Sequence, residues 1–203
     1  MTKERIQKTL MQHGWYHGSN YSADDTKALL QDLGQVIMTT HVKPNPESKA
    51  MVTSNKALGP HTDHHKASLI LWHCLQQSLS GGESRLIDSR TILSQMTQHE
   101  ISELKKIELK EHKVFPDDCE SQPMLEATSN GHYRIYYSFW LATQNRPEAF
   151  DKFRRLSEHT PSISIRMNPN DILIIDNRRM LHGRGSIEEG SNRHLIRYWI
   201  QTK

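Results

Sequence analysis

Cysteine is scarce in this chain, and the two present, Cys74 and Cys119, lie far apart with no CxxC pair. That argues against a disulfide framework or a structural zinc module and favours a reducing compartment. Long apolar runs are also missing; none approaches the roughly 20 residues that a membrane-spanning helix needs. The start, Met1-Thr2-Lys3-Glu4-Arg5, is charged and leads into no apolar signal region, so a cytoplasmic location is expected. Dense charge of one sign is lacking too. Formal net charge is +3 with 13 histidines counted neutral, and the longest basic runs, Lys105-Lys106 and Arg178-Arg179, are only pairs. Nucleic-acid binding usually needs a denser basic stripe, so neither nucleic acid nor membrane is expected as a partner. A small anionic substrate accounts equally well for the slight basic excess.

What is present fits a single soluble domain over 1–203, because 35% hydrophobic residues in 203 allow a sizeable core. No internal repeat or low-complexity stretch is visible. The N-terminal third reads as helix, helix, strand. Ser22 with Asp25 makes a capping-box start, Leu29, Leu30 and Leu33 give one apolar face, and Gly34 stops the helix. Gln35 to Val42 reads as a strand, and Lys43-Pro44-Asn45-Pro46 opens a loop. Ser68 to Leu75 is a compact apolar run of buried-strand type, turned by Ser80-Gly81-Gly82 into a short strand, Ser84 to Asp88. Thr91 to Met96 and His99 to Ile107 read as helical, with Thr97 and Glu100 as a second capping box. Glu108 to Phe115 alternates as a strand, and Met124 to Trp140 resembles a hairpin around Ser129-Asn130-Gly131. Pro147 to His159 follows as a helix, and Ile163 to Met167, Ile172 to Asp176 and His194 to Ile200 close the chain as strands. About eight short strands with a few helices suit a mostly β fold, a double-stranded β-helix or jelly roll with helices packed outside.

One constellation stands out. His61-Thr62-Asp63 places an imidazole and a carboxylate two residues apart, on the same side of an extended segment. His182 lies beside Gly183 after the apolar strand Ile172 to Ile175. Two histidines and one carboxylate form the ligand set that holds non-haem Fe(II) while leaving positions open. An isolated HxD triplet is a common surface pattern, and His182 on its own reads equally as a loop histidine. Arg193 and Arg197, four apart on the last strand, share one face with roughly 13 Å between their Cα atoms. Either that face is wet, with Ile196, Tyr198 and Ile200 on the core side, or the guanidiniums are buried and need a carboxylate partner.

Taken in order, His61-Thr62-Asp63, Gly81-Gly82-Glu83-Ser84, Asp176-Asn177-Arg178, His182-Gly183-Arg184 and Arg193 with Arg197 resemble the Fe(II)/2-oxoglutarate-dependent dioxygenases of the taurine dioxygenase superfamily. Leu71-Trp72-His73-Cys74-Leu75 leading to the glycine pair is most similar to the γ-butyrobetaine and trimethyllysine hydroxylase branch. The run from Asp176 to Arg184 also resembles the clavaminate synthase-like branch. The resemblance covers Leu58 to Ile200 and implies that His61, Asp63 and His182 ligate Fe(II) and so carry catalysis. It further implies that Arg193 pairs with the distal carboxylate of 2-oxoglutarate, that Ser84 donates a hydroxyl to it where relatives more often have threonine, and that Arg197 meets an anionic group on the substrate. The implied reaction consumes O2 and 2-oxoglutarate, releases succinate and CO2, and hydroxylates a C–H of a small polar molecule such as an amino acid. With Asp63 present, a halide cannot take the carboxylate's place, so halogenation is disfavoured.

Two rival readings use the same ligands: a cupin-like hydrolase or isomerase with zinc or manganese, and a non-catalytic metabolite-binding barrel. The first gives no reason for Arg193 and Ser84. The chain is shorter than most of the family, and the segment between the ligand motifs, where relatives grow substrate-covering loops, is compact. Among weaker signals, Tyr133, Tyr136, Tyr137, Phe139 and Trp140 suggest strand aromatics before an ammonium cage. His64-His65-Lys66 could support the first ligands or form a solvated turn, and His73 reads as a satisfied strand histidine.

Overall fold

Alternating burial along short β-forming segments builds two antiparallel sheets, with helices on their outer faces. The structure, a computed structural model, describes residues 3–45, 53–110, 113–119, 121–141 and 146–202. Its elements in order are α1 (Lys3–His13), β1 (Trp15–Gly18), α2 (Ala23–Leu33), β2 (Gln35–Val42), β3 (Leu58–His61), β4 (Leu69–Gln76) and β5 (Ser84–Asp88). There follow α3 (Ser89–Leu93), α4 (Gln98–Leu104), β6 (Glu108–Lys110), β7 (Ser121–Pro123), β8 (Leu125–Ala127) and β9 (Tyr133–Ile135). A 3-10 turn (Phe139–Leu141) leads to α5 (Glu148–His159), β10 (Ile163–Ile165), β11 (Ile172–Asp176), β12 (Met180–Arg184) and β13 (His194–Gln201).

One sheet runs β1-β11-β4-β13-β2 and the other β10-β5-β12-β3, with small ribbons β6-β7 and β8-β9 beside them. Every pairing among these strands is antiparallel, and β1 and β2, joined through α2, lie at opposite edges of the first sheet. The period-two rule divides each strand between two cores. On β4, Ile70 and Cys74 face the inter-sheet core with Leu86, Leu173, Ile175, Met180 and Leu195. Leu71, with Ile172 and Ile174 of β11, faces outward against Ile6, Leu10, Leu29 and Leu30 of the N-terminal helices. The second sheet's outer face, Ile87 and Leu181, is covered by Leu104, Phe150 and Phe153 of α4 and α5.

Both expected capping boxes form: Ser22 accepts from the Asp25 amide and Thr97 from the Glu100 amide, with each acidic side chain returning a bond. The sequence reading misses β1, β3, β7 and β12, each five residues or fewer. Elsewhere local polar groups overrule propensity. Alternation beyond Lys110 does not continue into Val114 and Phe115, because the Asp118 carboxylate captures both amides (2.7 and 2.6 Å) and makes a turn; residues 111 and 112 lie outside the described residues. The helix expected at Thr91 starts at Ser89 because Asp88 accepts from the Arg90 amide. The expected Met124 to Trp140 hairpin shrinks to β8 and β9, since Ser138 turns the chain and donates to the Thr62 carbonyl. Pro46 of the predicted loop lies outside the described residues.

Candidate metal centre and anion pocket

Strand pairing brings the two histidines together. His61 ends β3 and is the register partner of His182, which sits in the middle of β12 rather than at a strand end. Their rings therefore share the inner face, with centroids 4.3 Å apart. This close pairing depends on Gly183, where a Cβ would stand 2.4 Å from the Leu58 carbonyl oxygen. Beyond His61 the chain leaves the strand, and other bonds hold it. Thr62 exchanges bonds with the Tyr137 backbone (2.7 and 2.9 Å), and the Asp63 amide donates to Asn177 Oδ1 (2.9 Å). Asn177 also ties back to the Ala67 carbonyl (2.9 Å), so it clamps the loop that presents Asp63.

Asp63 Oδ1 lies 3.7 Å from His61 Nε2 and 3.8 Å from His182 Nε2. Each gap is within the span of two metal–ligand bonds of about 2.1 Å. One ligand atom from each residue lies within 4.8 Å of the others, and all three side chains are buried. The donor chemistry fits a divalent ion. His61 Nδ1 is engaged by the Gly59 carbonyl (2.9 Å), the tautomer that leaves the Nε2 lone pair for a metal. Burial, with His61 alongside, pushes His182 down to about 4, so it is neutral at physiological pH and able to ligate. Burial alone would raise the Asp63 carboxyl, but Arg197, His182 and His61 outweigh it and hold the group well below its ordinary value. Its other oxygen, Oδ2, accepts from Arg197 Nη1 and from Trp199 Nε1, both at 2.8 Å. The carboxylate is thus divided, one oxygen locked by the protein and the other turned to the histidines.

Beside this triad, between the sheets, is a cavity lined by His61, His182, Trp72, Ser84, Arg193 and Arg197. The arginine face of β13 is the buried one, Arg193 2% and Arg197 9% exposed, which rules out a wet face. Arg193 Nε donates to Gln77 Oε1 (3.0 Å), and among the described residues no carboxylate forms an ion pair with it. Burial, reinforced by Arg184, pushes Arg193 down to about 10, still cationic at neutral pH. Ser84 opens β5 and pairs in register with Arg184, so its hydroxyl-bearing face lies toward the same cavity. A pocket with buried guanidiniums and, among the described residues, no carboxylate paired with Arg193 has the chemistry to accept an anion. Arg197 lines it too, but its Nη1 is committed to Asp63; its buried Nε has no partner among the described residues.

Trp199 and Gln77 were not singled out from the sequence, and Asn177 and Arg184 stood in the quoted motifs without a role of their own. Trp199 shares the inner face of β13 with Arg197 at i+2, a signal available in hindsight; the other three depend on which strands meet. Arg184 lines the cavity while donating to the Lys56 carbonyl (2.8 Å) and to that of Ser54, tying the segment before β3 to the site. Most of the aromatic cluster is core, Tyr137 against Phe150 and Phe153, whereas Trp140 stands 5.1 Å from the His61 ring. His64 is no solvated residue: it is buried, stacks on Trp199 and faces Asp118 at 3.2 Å. His73 is satisfied by the Tyr21 carbonyl (3.2 Å). Cys74 is buried, and burial pushes its thiol up to about 11, unsuited to a nucleophile.

The human (Homo sapiens) gamma-butyrobetaine dioxygenase is 24% identical over 183 residues, covering 77% of this chain and 47% of that protein. The chain therefore spans about half the length of the curated relatives it matches. Among solved structures, an asparagine oxygenase in complex with Fe(II), 3-hydroxyasparagine and succinate superposes with a TM-score of 0.78 at 15% identity, covering 98% of this chain and 78% of that one. The non-heme iron oxygenase OrfP, in complex with Fe and alpha-ketoglutaric acid, gives 0.72 at 15% identity over 98% and 78%. PvcB from Pseudomonas aeruginosa gives 0.71 at 16% identity over 98% and 80%. The model of the taurine catabolism dioxygenase TauD, TfdA family matches residues 3–199, nearly the whole chain, and the protein belongs to that family.

Proposed function

We propose that this protein is an Fe(II)- and 2-oxoglutarate-dependent dioxygenase that hydroxylates an unactivated C–H of a small polar substrate, an amino acid or related carboxylate, releasing succinate and CO2. The two facing sheets would be the halves of a jelly roll, with residues 1–203 acting as one domain. No helix among the described residues is long and apolar enough to cross a membrane, in keeping with a cytoplasmic enzyme. The observation that carries the reading is the division of Asp63: Oδ1 faces two imidazoles, and Oδ2 is held by Arg197 and Trp199.

In this reading His61, Asp63 and His182 hold the iron. Bound there, Fe(II) would supply the open coordination positions and oxidising chemistry for O2 and 2-oxoglutarate. The rest falls to the chain's own groups. Arg193 takes the distal carboxylate of 2-oxoglutarate as the ion-pair partner its buried guanidinium lacks, and the Ser84 hydroxyl donates to the same group. Trp72 stands edge-on to the His182 ring (5.2 Å) and, with Trp140 against His61, walls the metal from water. Arg197 holds Asp63, and its Nε remains as a donor toward an anionic group on a bound molecule. A cupin-like hydrolase would need the same triad but gives no use for an unpaired, buried Arg193.

Anaerobic addition of Fe(II) and then 2-oxoglutarate should give a visible metal-to-ligand charge-transfer band. Folded protein without the band would overturn the oxygenase reading. Arg193→Ala should keep Fe(II) affinity and lose 2-oxoglutarate affinity by an order of magnitude or more; unchanged affinity would remove Arg193 from that role.

A further inference from the structure

The triad stands between two cavities that share no wall residue. His61 and His182 line the first, described above; Asp63 lines the second. An ion held by the triad is therefore one side chain away from both. The second cavity has no part in cosubstrate binding as proposed, and its chemistry differs. Asp63 and its clamp Asn177 form one wall, and three charged side chains, Glu126, Arg134 and Arg178, form another.

Glu126 and Arg134 are cross-strand register partners on the β8-β9 ribbon, and their charged ends are 3.7 Å apart. A partly exposed pair at that distance is weak and easily exchanged for a ligand. Arg178 immediately follows Asn177 and is half-buried. Its side chain makes no hydrogen bond or ion pair with any described residue; its backbone amide donates to Asp176 Oδ1 (3.0 Å) and its carbonyl accepts from the Ile135 amide (2.8 Å). Burial works against its charge and Arg134 adds to this, while Asp176 and Glu126 partly compensate. Two guanidiniums thus face one cavity whose wall carries two carboxylates, Glu126 and Asp63, and Asp63 is already engaged by Arg197 and Trp199. Holding a half-buried arginine beside another without a partner is costly unless an anion completes the set.

We infer that this second cavity is the substrate's, and that it takes a free α-amino acid, with the carboxylate on Arg178 and Arg134 and the ammonium on Glu126. Planar guanidiniums match a carboxylate bidentately, and Glu126 supplies the one complementary charge for a cationic nitrogen. A zwitterion satisfies all three groups, whereas a simple dicarboxylate would set its second charge against Glu126. Gln122, also on the wall, offers amide hydrogen bonds to the remaining polar atoms. The role as substrate site rests on the oxygenase reading; the binding itself does not.

The test is calorimetric titration of the full-length protein, metal-free and loaded anaerobically with Fe(II) and 2-oxoglutarate, with the standard α-amino acids at millimolar concentration. At least one should bind. Its methyl ester and its N-acetyl derivative should each bind the unmodified protein at least about tenfold more weakly. Arg178→Gln should weaken the free amino acid by a similar factor and leave the ester unchanged, and Arg178→Lys should recover part of the loss. The charge-transfer band of the Arg178→Gln sample should match the parent. Binding of no amino acid, or binding that ignores both esterification and Arg178→Gln, overturns the inference. Band and binding fail separately: loss of the band with amino-acid binding intact sinks only the oxygenase reading, and the reverse sinks only this one.

Discussion

A carboxylate ligand must offer one oxygen to the ion and keep the other occupied, or it rotates between the two. Asp63 meets this demand with two donors of different kinds on Oδ2, a guanidinium and an indole N–H, each at 2.8 Å. Groups that orient a ligand in this way commonly contribute ten- to a hundredfold in metal affinity. Trp199→Phe keeps an aromatic ring against His64 and removes the indole donor together with part of the ring's volume. It should weaken Fe(II) binding by roughly tenfold in an anaerobic competition titration, with little change in far-ultraviolet circular dichroism. Wild-type affinity in that variant would mean that Arg197 alone orients the carboxylate. Arg197 also shows how a residue's part changes with its neighbours: the family resemblance implies a role toward an anionic group on the substrate, but in the fold Asp63 already occupies its Nη1.

At the scale of elements, the proposed metal centre is a strand-pairing event. β12 must lie against both β5 and β3 for His182 to meet His61, and Gly183 permits the approach to β3. Gly183→Ala places a methyl 2.4 Å from the Leu58 carbonyl oxygen, a backbone atom that cannot swing aside. Overpacking of this kind costs roughly 1–3 kcal/mol. The variant should therefore lower the urea midpoint and also weaken Fe(II) binding, because the displaced strand carries His182, a proposed ligand. A stability loss with undiminished metal affinity would show that the strands shift without separating the histidines. Elements of this kind were hard to see in the sequence. Both capping boxes and the long apolar strands announced themselves, because their signals are local. β3 and β12 did not: Leu58-Gly59-Pro60-His61 and Met180 to Arg184 lack β-branched residues and become strands only by pairing with β5 and with each other.

On the scale of the whole molecule, the inter-sheet core and the two helix-covered outer cores hold the sheets at a fixed separation, and the site occupies the gap. One further tie crosses the structure. Asp118, half-buried with its side chain covered, receives Lys66 (2.8 Å), the Val114 and Phe115 amides, and His64 beyond the loop that carries Asp63. Burial alone would raise its carboxyl; Lys66 and the two amides outweigh that and hold it far below the ordinary value. A group depressed in the folded state stabilises above its unfolded pKa, near 3.9, and loses that contribution as pH falls toward the folded value. Asp118→Asn should thus be less stable than the parent at neutral pH, and the gap should narrow below about pH 4, as read by urea unfolding across pH. A gap independent of pH would show that Asp118 acts through its shape and not its charge.

The sequence by itself determined the mostly β class, the helix caps and the order of the motif residues from His61 to Arg197, because these rest on local spacing and residue chemistry. It left open whether the arginine face of the last strand was wet, since alternation marks two faces without saying which is inward. Only the tertiary structure decided that Arg193 and Arg197 are buried, that Trp199 and Asn177 fix Asp63, and that Arg134 and Arg178 meet across a second cavity. Each of those contacts joins segments far apart in the chain, and a pairing set by which strands lie side by side leaves no trace in local pattern.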